Sequence, residues 1–143
     1  MALFKLKPIA PIDFKTFARP SSPNTYFVCP AGFSAAEADL EAPIFNKPLA
    51  VLIDSLMNIA QSMPRVTEIT ANSGNTAQLS YVQRTALMGY PDIITIEFIG
   101  LDENRSTLAI YSRSQYGYWD IGTNERRITA WLSLLESALA NPN

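Results

Sequence analysis

The chain has 143 residues, 48% of them apolar, and a formal net charge of -2. This is the length of one domain with a real core, able to hide roughly 70% of its unfolded surface; the charge balance gives no basic field for nucleic acid or an acidic membrane, and no run of about 18 apolar residues could span a bilayer. With no histidine and a single cysteine, Cys29, the chain is without Ser-His-Asp or Cys-His catalysis, imidazole metal ligands, internal disulfides and multi-cysteine zinc sites.

Met1 to Ile9 hold no apolar stretch of signal-peptide length. A cytoplasmic location is expected for the chain as given, and a periplasmic or membrane-associated one if an N-terminal anchor has been removed. Residues 1–46 carry six of the ten prolines, at 8, 11, 20, 23, 30 and 43. Proline fixes φ and lacks a donor, which predicts an extended arm poor in regular structure. Phe14, Phe17, Tyr26, Phe27, Phe33 and Phe45 predict that this arm packs on the body. Ala35 to Leu40 is expected to form a short helical turn.

Residues 47–143 are read as the core, making one domain in all. Asn46 suits an N-cap and Pro48 a first turn, and Pro64 is a stop. The first helix is placed at 47–62, with Leu49, Leu52, Ile53, Leu56, Ile59 and Ala60 on one face. Strand-like runs follow at 65–71, 77–87, 93–101 and 106–114. Ser73-Gly74-Asn75 is a hairpin signal, Met88-Gly89-Tyr90-Pro91 breaks the next pair, and Asp102-Glu103-Asn104 turns the third, with Asn104 suited to the left-handed conformation. The odd loop pairs even positions with even ones. Ile94, Ile96, Phe98, Leu108 and Ile110 then share an oily face, while Thr95, Glu97, Tyr111 and Arg113 share the other. A last helix is placed at 124–140, capped by Thr123 or Asn124, with Ile128, Trp131, Leu132, Leu135, Ala138 and Leu139 as its buried stripe. The expected fold is α+β: a two-layer domain with a four-stranded antiparallel meander, covered mainly on one face by two long helices, plus the extended arm.

The junction from Tyr111 to Leu132 carries more polar apparatus than a turn requires. Arg113, Asp120, Asn124 and Arg127 crowd it, with Tyr116, Gly117, Trp119 and Gly122 as a supporting loop. Read functionally, Arg113 and Arg127 converge on the N-terminus of the last helix as an anion pocket, where arginine forks and free N–H groups attract negative charge. Arg84 is a further arm of it, and the loop aromatics stack on the ligand. Read structurally, Asp120 pairs with Arg113 or Arg127 and fixes the strand-to-helix crossing, Arg84 pairs with Asp92 across a bend, and the aromatics form a flap.

Other chemistry is thin. Ser112 and Ser114 have neither a general base nor a nucleophile elbow around them. Glu37, Asp39 and Glu41 lack calcium-loop spacing, and Asp102-Glu103 reads as a solvated turn. Cys29, between Val28 and Pro30, reads as a buried inert thiol. No metal or cofactor is expected.

The run Ser112-Arg113-Ser114, then Gly117, Asp120, Gly122, Asn124, Arg127 and Ile128, then a helix with Trp131-Leu132, resembles the domain of unknown function 1499 (DUF1499) family. Pro23-Asn24, Tyr81-Val82-Gln83-Arg84 and Tyr90-Pro91-Asp92, with Ile94 and Phe98, are similar to its other blocks. The resemblance covers roughly residues 20–136. It implies bacterial or plastid origin, no established activity, and relatives with a hydrophobic N-terminal anchor that this chain lacks.

Three readings of function stay open. The first is a non-enzymatic domain binding an anionic or amphipathic ligand, or a protein partner. The second is a histidine-independent enzyme using Asp120, a tyrosine and arginines. The third is a structural domain whose Arg/Asp junction is only a clasp. The lack of a credible base or nucleophile favours the first.

Overall fold

The computed structural model of the chain describes residues 4–22, 24–69, 78–116 and 122–140. It is an α+β fold, but its sheet has six strands rather than four and is mixed rather than antiparallel. In chain order the elements are β1 (Thr25–Cys29), β2 (Leu40–Glu41), α1 (Leu49–Ser62), β3 (Val66–Ile69), β4 (Gln78–Arg84), β5 (Pro91–Asp102), β6 (Arg105–Ser114) and α2 (Thr123–Leu139). The strand order is β2-β1-β6-β5-β4-β3. Strands β3 to β6 pair antiparallel in sequence order. Strand β1 adds antiparallel to the free edge of β6, and β2 lies parallel to β1.

The proline-rich arm is therefore not outside the sheet. Thr25 to Cys29 contains no proline and ends at Pro30. A five-residue strand fits that gap, because proline is tolerated at strand ends. The helical turn expected at Ala35 to Leu40 does not form; Leu40 instead opens β2. The hairpin signal at Ser73-Gly74-Asn75 lies outside the described residues. At the β5–β6 turn Asn104 keeps a negative φ, since Arg65 is the only non-glycine residue with positive φ among those described. Asp102 makes that turn instead, accepting from the Asn104 N–H at 2.8 Å and pairing with Arg105 at 2.7 Å.

Alternation along the strands sorts two cores. Ile96 faces Ile110 and Phe98 faces Leu108 across the β5–β6 pair. These residues join Leu52, Leu56 and Ala60 of α1 and Ile128, Trp131, Leu132, Leu135 and Leu139 of α2 in one buried cluster. Both helices thus cover the same face, and Ala138, expected in the stripe, is exposed. The opposite face is not bare. Phe27, Cys29, Ala109 and Tyr111 point there and are buried by Phe14, with Ile12, Phe17 and Phe33 packed around them. The aromatic arm closes this second face, which the one-sided expectation had left to solvent. Phe14 and Phe27 stack with centroids 5.6 Å apart, and Phe17 meets Tyr111 edge-on at 4.8 Å.

Candidate functional site

The polar side chains near the start of α2 gather at one end of the sheet, on its helix-covered face. Register builds the floor: Gln83 of β4 pairs with Asp92 of β5, and Asp92 pairs with Ser114 of β6. Ser112, two residues before Ser114, shares that face. Asn124 and Arg127, three apart on α2, fall one turn above one another and reach down to this row. Asn24, just ahead of β1, closes it from the side.

The contacts are dense. Arg127 donates from Nη2 to Asp92 Oδ2 at 2.7 Å, from Nε to Gln83 Oε1 at 2.6 Å, and from Nη1 to Asn124 Oδ1 at 2.8 Å and Ser112 Oγ at 3.3 Å. Its side chain is 7% exposed and that of Asp92 is 1% exposed. Ser112 Oγ donates to Asn124 Oδ1 at 2.6 Å. Asn124 Nδ2 donates to the Asn24 carbonyl at 2.8 Å, and Asn24 Nδ2 to Ser114 Oγ at 2.9 Å. The serine hydroxyls are thus spent on amides, not aimed at a base. One atom is left over: Asp92 Oδ1 is buried with no hydrogen-bond partner.

Neither Thr123 nor Asn124 caps α2. Gly122 takes the N-cap position with φ +94°, and no side chain caps the helix. A Cβ there would lie 3.0 Å from Arg126 Nη1. Freed from capping, Asn124 turns inward, where it is 1% exposed.

The two arginines expected to converge do not. Arg127 reaches the helix face, while Arg113, next to Ser112, points to the arm face by the strand's own alternation. There it donates from Nη1 to Thr95 Oγ1 at 2.8 Å and to the Tyr111 carbonyl at 3.3 Å, with its guanidinium 5.1 Å from the Tyr111 ring centroid. Burial pulls its pKa down to about 10. Arg84 does not pair with Asp92 either. Its Nη1 donates to the carbonyls of Phe4 and Gly89, both at 2.8 Å, tying the arm to the β4–β5 turn. Tyr116 is also held by the arm: its hydroxyl donates to the Lys5 carbonyl at 2.7 Å, and its ring packs on Phe4. Gly117, Trp119 and Asp120 lie outside the described residues. Reading the sequence missed Gln83, Ser112, Ser114 and Asn24 as members of the network, and gave Asp92 the wrong arginine. The alternation of β4, β5 and β6 carried a signal for the first three; Asn24 was marked only by the Pro23-Asn24 block of the family resemblance, which gave it no partner.

Depressions flank this network on both faces of the sheet. On the helix side, a groove of about 440 Å³ runs between the start of β3, the end of β4 and α2. Arg65, Arg84, Arg126 and Arg127 line it, over Met63, Ala130 and Trp131. A neighbouring depression of about 550 Å³ shares Arg65 and Arg84 with it and reaches Leu87 and Met88, and Leu87 is 92% exposed. Among the described lining residues there is no carboxylate. Arg65 sits at φ +57°, an unusual conformation for a side chain of its size. That backbone is held by reciprocal bonds: Arg84 N–H to the Arg65 carbonyl at 3.1 Å, and Arg65 Nε to the Arg84 carbonyl at 2.8 Å. On the arm side, a smaller cavity of about 160 Å³ is lined by Arg113.

Among the described residues no three metal-ligating side chains cluster, and no helix is long and apolar enough to cross a membrane. A family model described as protein of unknown function (DUF1499) matches residues 12–135, most of the chain. No curated protein and no solved structure matches it.

Proposed function

The chain belongs to the DUF1499 family of proteins of unknown function, and from that premise we propose that it is a non-enzymatic binding domain for an anionic amphiphile. The ligand lies in the groove beside α2. The observation that carries this reading is the lining itself: four arginines, an apolar floor of Met63, Ala130 and Trp131, and no acid among the described lining residues. Arg127 is spent on Asp92 and adds little charge. Arg65 and Arg84 pair with no carboxylate in the described structure, and each uses only one guanidinium nitrogen. Arg65 supplies the head-group contact, and Arg84, held toward the arm by the Phe4 carbonyl, adds positive charge at the rim, since an arginine fork meets a carboxylate or phosphate with two donors. The exposed Leu87 and Met88 extend the apolar surface toward the tail.

A second reading holds for the junction at the start of α2. The specific observation is that all three guanidinium nitrogens of Arg127 already have partners. We read Asp92, Asn124 and Arg127 as a clasp that holds α2 on the sheet and so shapes one wall of the groove.

Calorimetric titration with dodecanoate and dodecyl phosphate, each below its micelle threshold, tests the binding reading. Neutral dodecyl maltoside is the control. The anionic ligands are expected to bind saturably, the maltoside at least tenfold more weakly. Arg65→Gln/Arg84→Gln should lose at least tenfold affinity for the anions with an unchanged circular dichroism spectrum. Equal affinity for all three amphiphiles, or none for any, overturns the proposal.

A further inference from the structure

The opposite face of the sheet holds a cation that the groove does not use. Arg113 lines the arm-side cavity together with Ser22, Thr25, Ser114 and Gln115. Its Nη1 is tethered to Thr95 and to the Tyr111 carbonyl, and the Tyr111 ring lies beside its guanidinium. The Nε and Nη2 donors have no acceptor among the described residues. These two N–H groups form one edge of the guanidinium, the edge that meets both oxygens of a planar oxyanion at once. No carboxylate is present among the described lining residues. Asp39 of the arm is already paired with Arg19. Elsewhere on the sheet a buried arginine is matched: Arg127 has Asp92. Arg113 has no such carboxylate partner, and desolvation by its partial burial lowers its pKa to about 10.

We infer that the Arg113 cavity is a second binding site, independent of the groove, for a small organic carboxylate. The fork edge of Arg113 takes the two carboxylate oxygens, and the Ser22, Thr25 and Gln115 side chains surround the remainder. Size limits the ligand. At about 30 Å³ per water in the liquid, the cavity has the room of about five waters. That room suits a carboxylate with a short carbon chain better than the long-chain ligands proposed for the groove. Charge favours carboxylate over phosphate: Arg113 is the one cation among the described lining residues, which matches a monoanion better than a phosphate carrying up to two charges at neutral pH.

The test uses the full chain and three probes: acetate, propionate and inorganic phosphate. The Arg113 side-chain Nε–H resonance is followed by NMR during titration. Acetate or propionate is expected to shift it saturably, and phosphate at least tenfold more weakly. Arg113→Lys keeps the charge but loses the fork, and should weaken carboxylate binding at least tenfold. Arg113→Met should abolish binding while leaving the melting temperature of the ligand-free protein unchanged or higher, because an unmatched buried charge is removed. The Arg65→Gln/Arg84→Gln variant should keep carboxylate binding, which separates this site from the groove. No saturable shift in the parent protein overturns the inference. So does tighter phosphate binding, or a large fall in melting temperature for Arg113→Met, which would make Arg113 a structural residue.

Discussion

Arg127 Nη2 lies 2.7 Å from Asp92 Oδ2, and neither side chain is more than 7% exposed. One belongs to the first turns of α2 and the other to the start of β5, 35 residues apart in sequence. This contact fixes how the last helix enters its place on the sheet. A pair so buried is a poor source of net stability, because desolvation opposes the attraction. Its value is positional. Gln83, Asn124 and Ser112 share the remaining donors of Arg127, so the guanidinium has one orientation that satisfies them all.

Breaking one side of this pair should therefore cost more than removing both. Asp92→Ala leaves a buried arginine without its counter-charge and is expected to lose about 3–5 kcal/mol. The Asp92→Ala/Arg127→Met double variant should lose less than Asp92→Ala alone, and so clearly less than the sum of the two single losses. Urea unfolding of the four proteins in the cycle measures this. Additive losses would mean that the pair does not act as a unit.

Trp131 is 2% exposed and meets Tyr81 edge-to-face with centroids 6.2 Å apart. It borders the groove but belongs to the buried core. Trp131→Ala is expected to cost on the order of 3–5 kcal/mol, as emptying a large aromatic site does. A loss under about 1 kcal/mol in chemical denaturation would remove Trp131 from the core and place it on the ligand side.

The protein should weaken in alkali. Burial pushes the Cys29 thiol from 9.0 up to about 11, and the Tyr81 hydroxyl from 10.0 up to about 12. In both cases the folded state holds its proton more tightly than the unfolded chain does. The associated stability is complete below pH 9 and is lost as pH rises from 9 to 11 for Cys29 and from 10 to 12 for Tyr81. Urea midpoints should fall between pH 8 and pH 11, and less so in Tyr81→Phe. That variant should also be no less stable than the parent at pH 7, because the buried Tyr81 hydroxyl has no partner to lose. A flat pH profile would contradict the burial of these groups.

What is local was legible in the residues. The 3.6-residue period on α1 and α2 marked the helix faces that reach the core, with Ala138, exposed in the last turn of α2, the exception. The two-residue period placed Ile94, Ile96 and Phe98 with Leu108 and Ile110, and Arg113 with Thr95 on the other side. The same period already separated Arg113 from Ser112, so the split between the two arginines was legible once the helices were assigned to the Ile96 face. Tertiary structure alone decided the partners. Thr25 to Cys29 carries too short a pattern to announce a strand, and nothing near it names β6 as its neighbour. Asn24 and Asn124, 100 residues apart, meet only because that strand docks. Such contacts require closing long loops, an entropic cost offset only when both faces of the sheet are buried together. No window of sequence contains that sum, which is why the arm looked like a covering and proved to be part of the sheet.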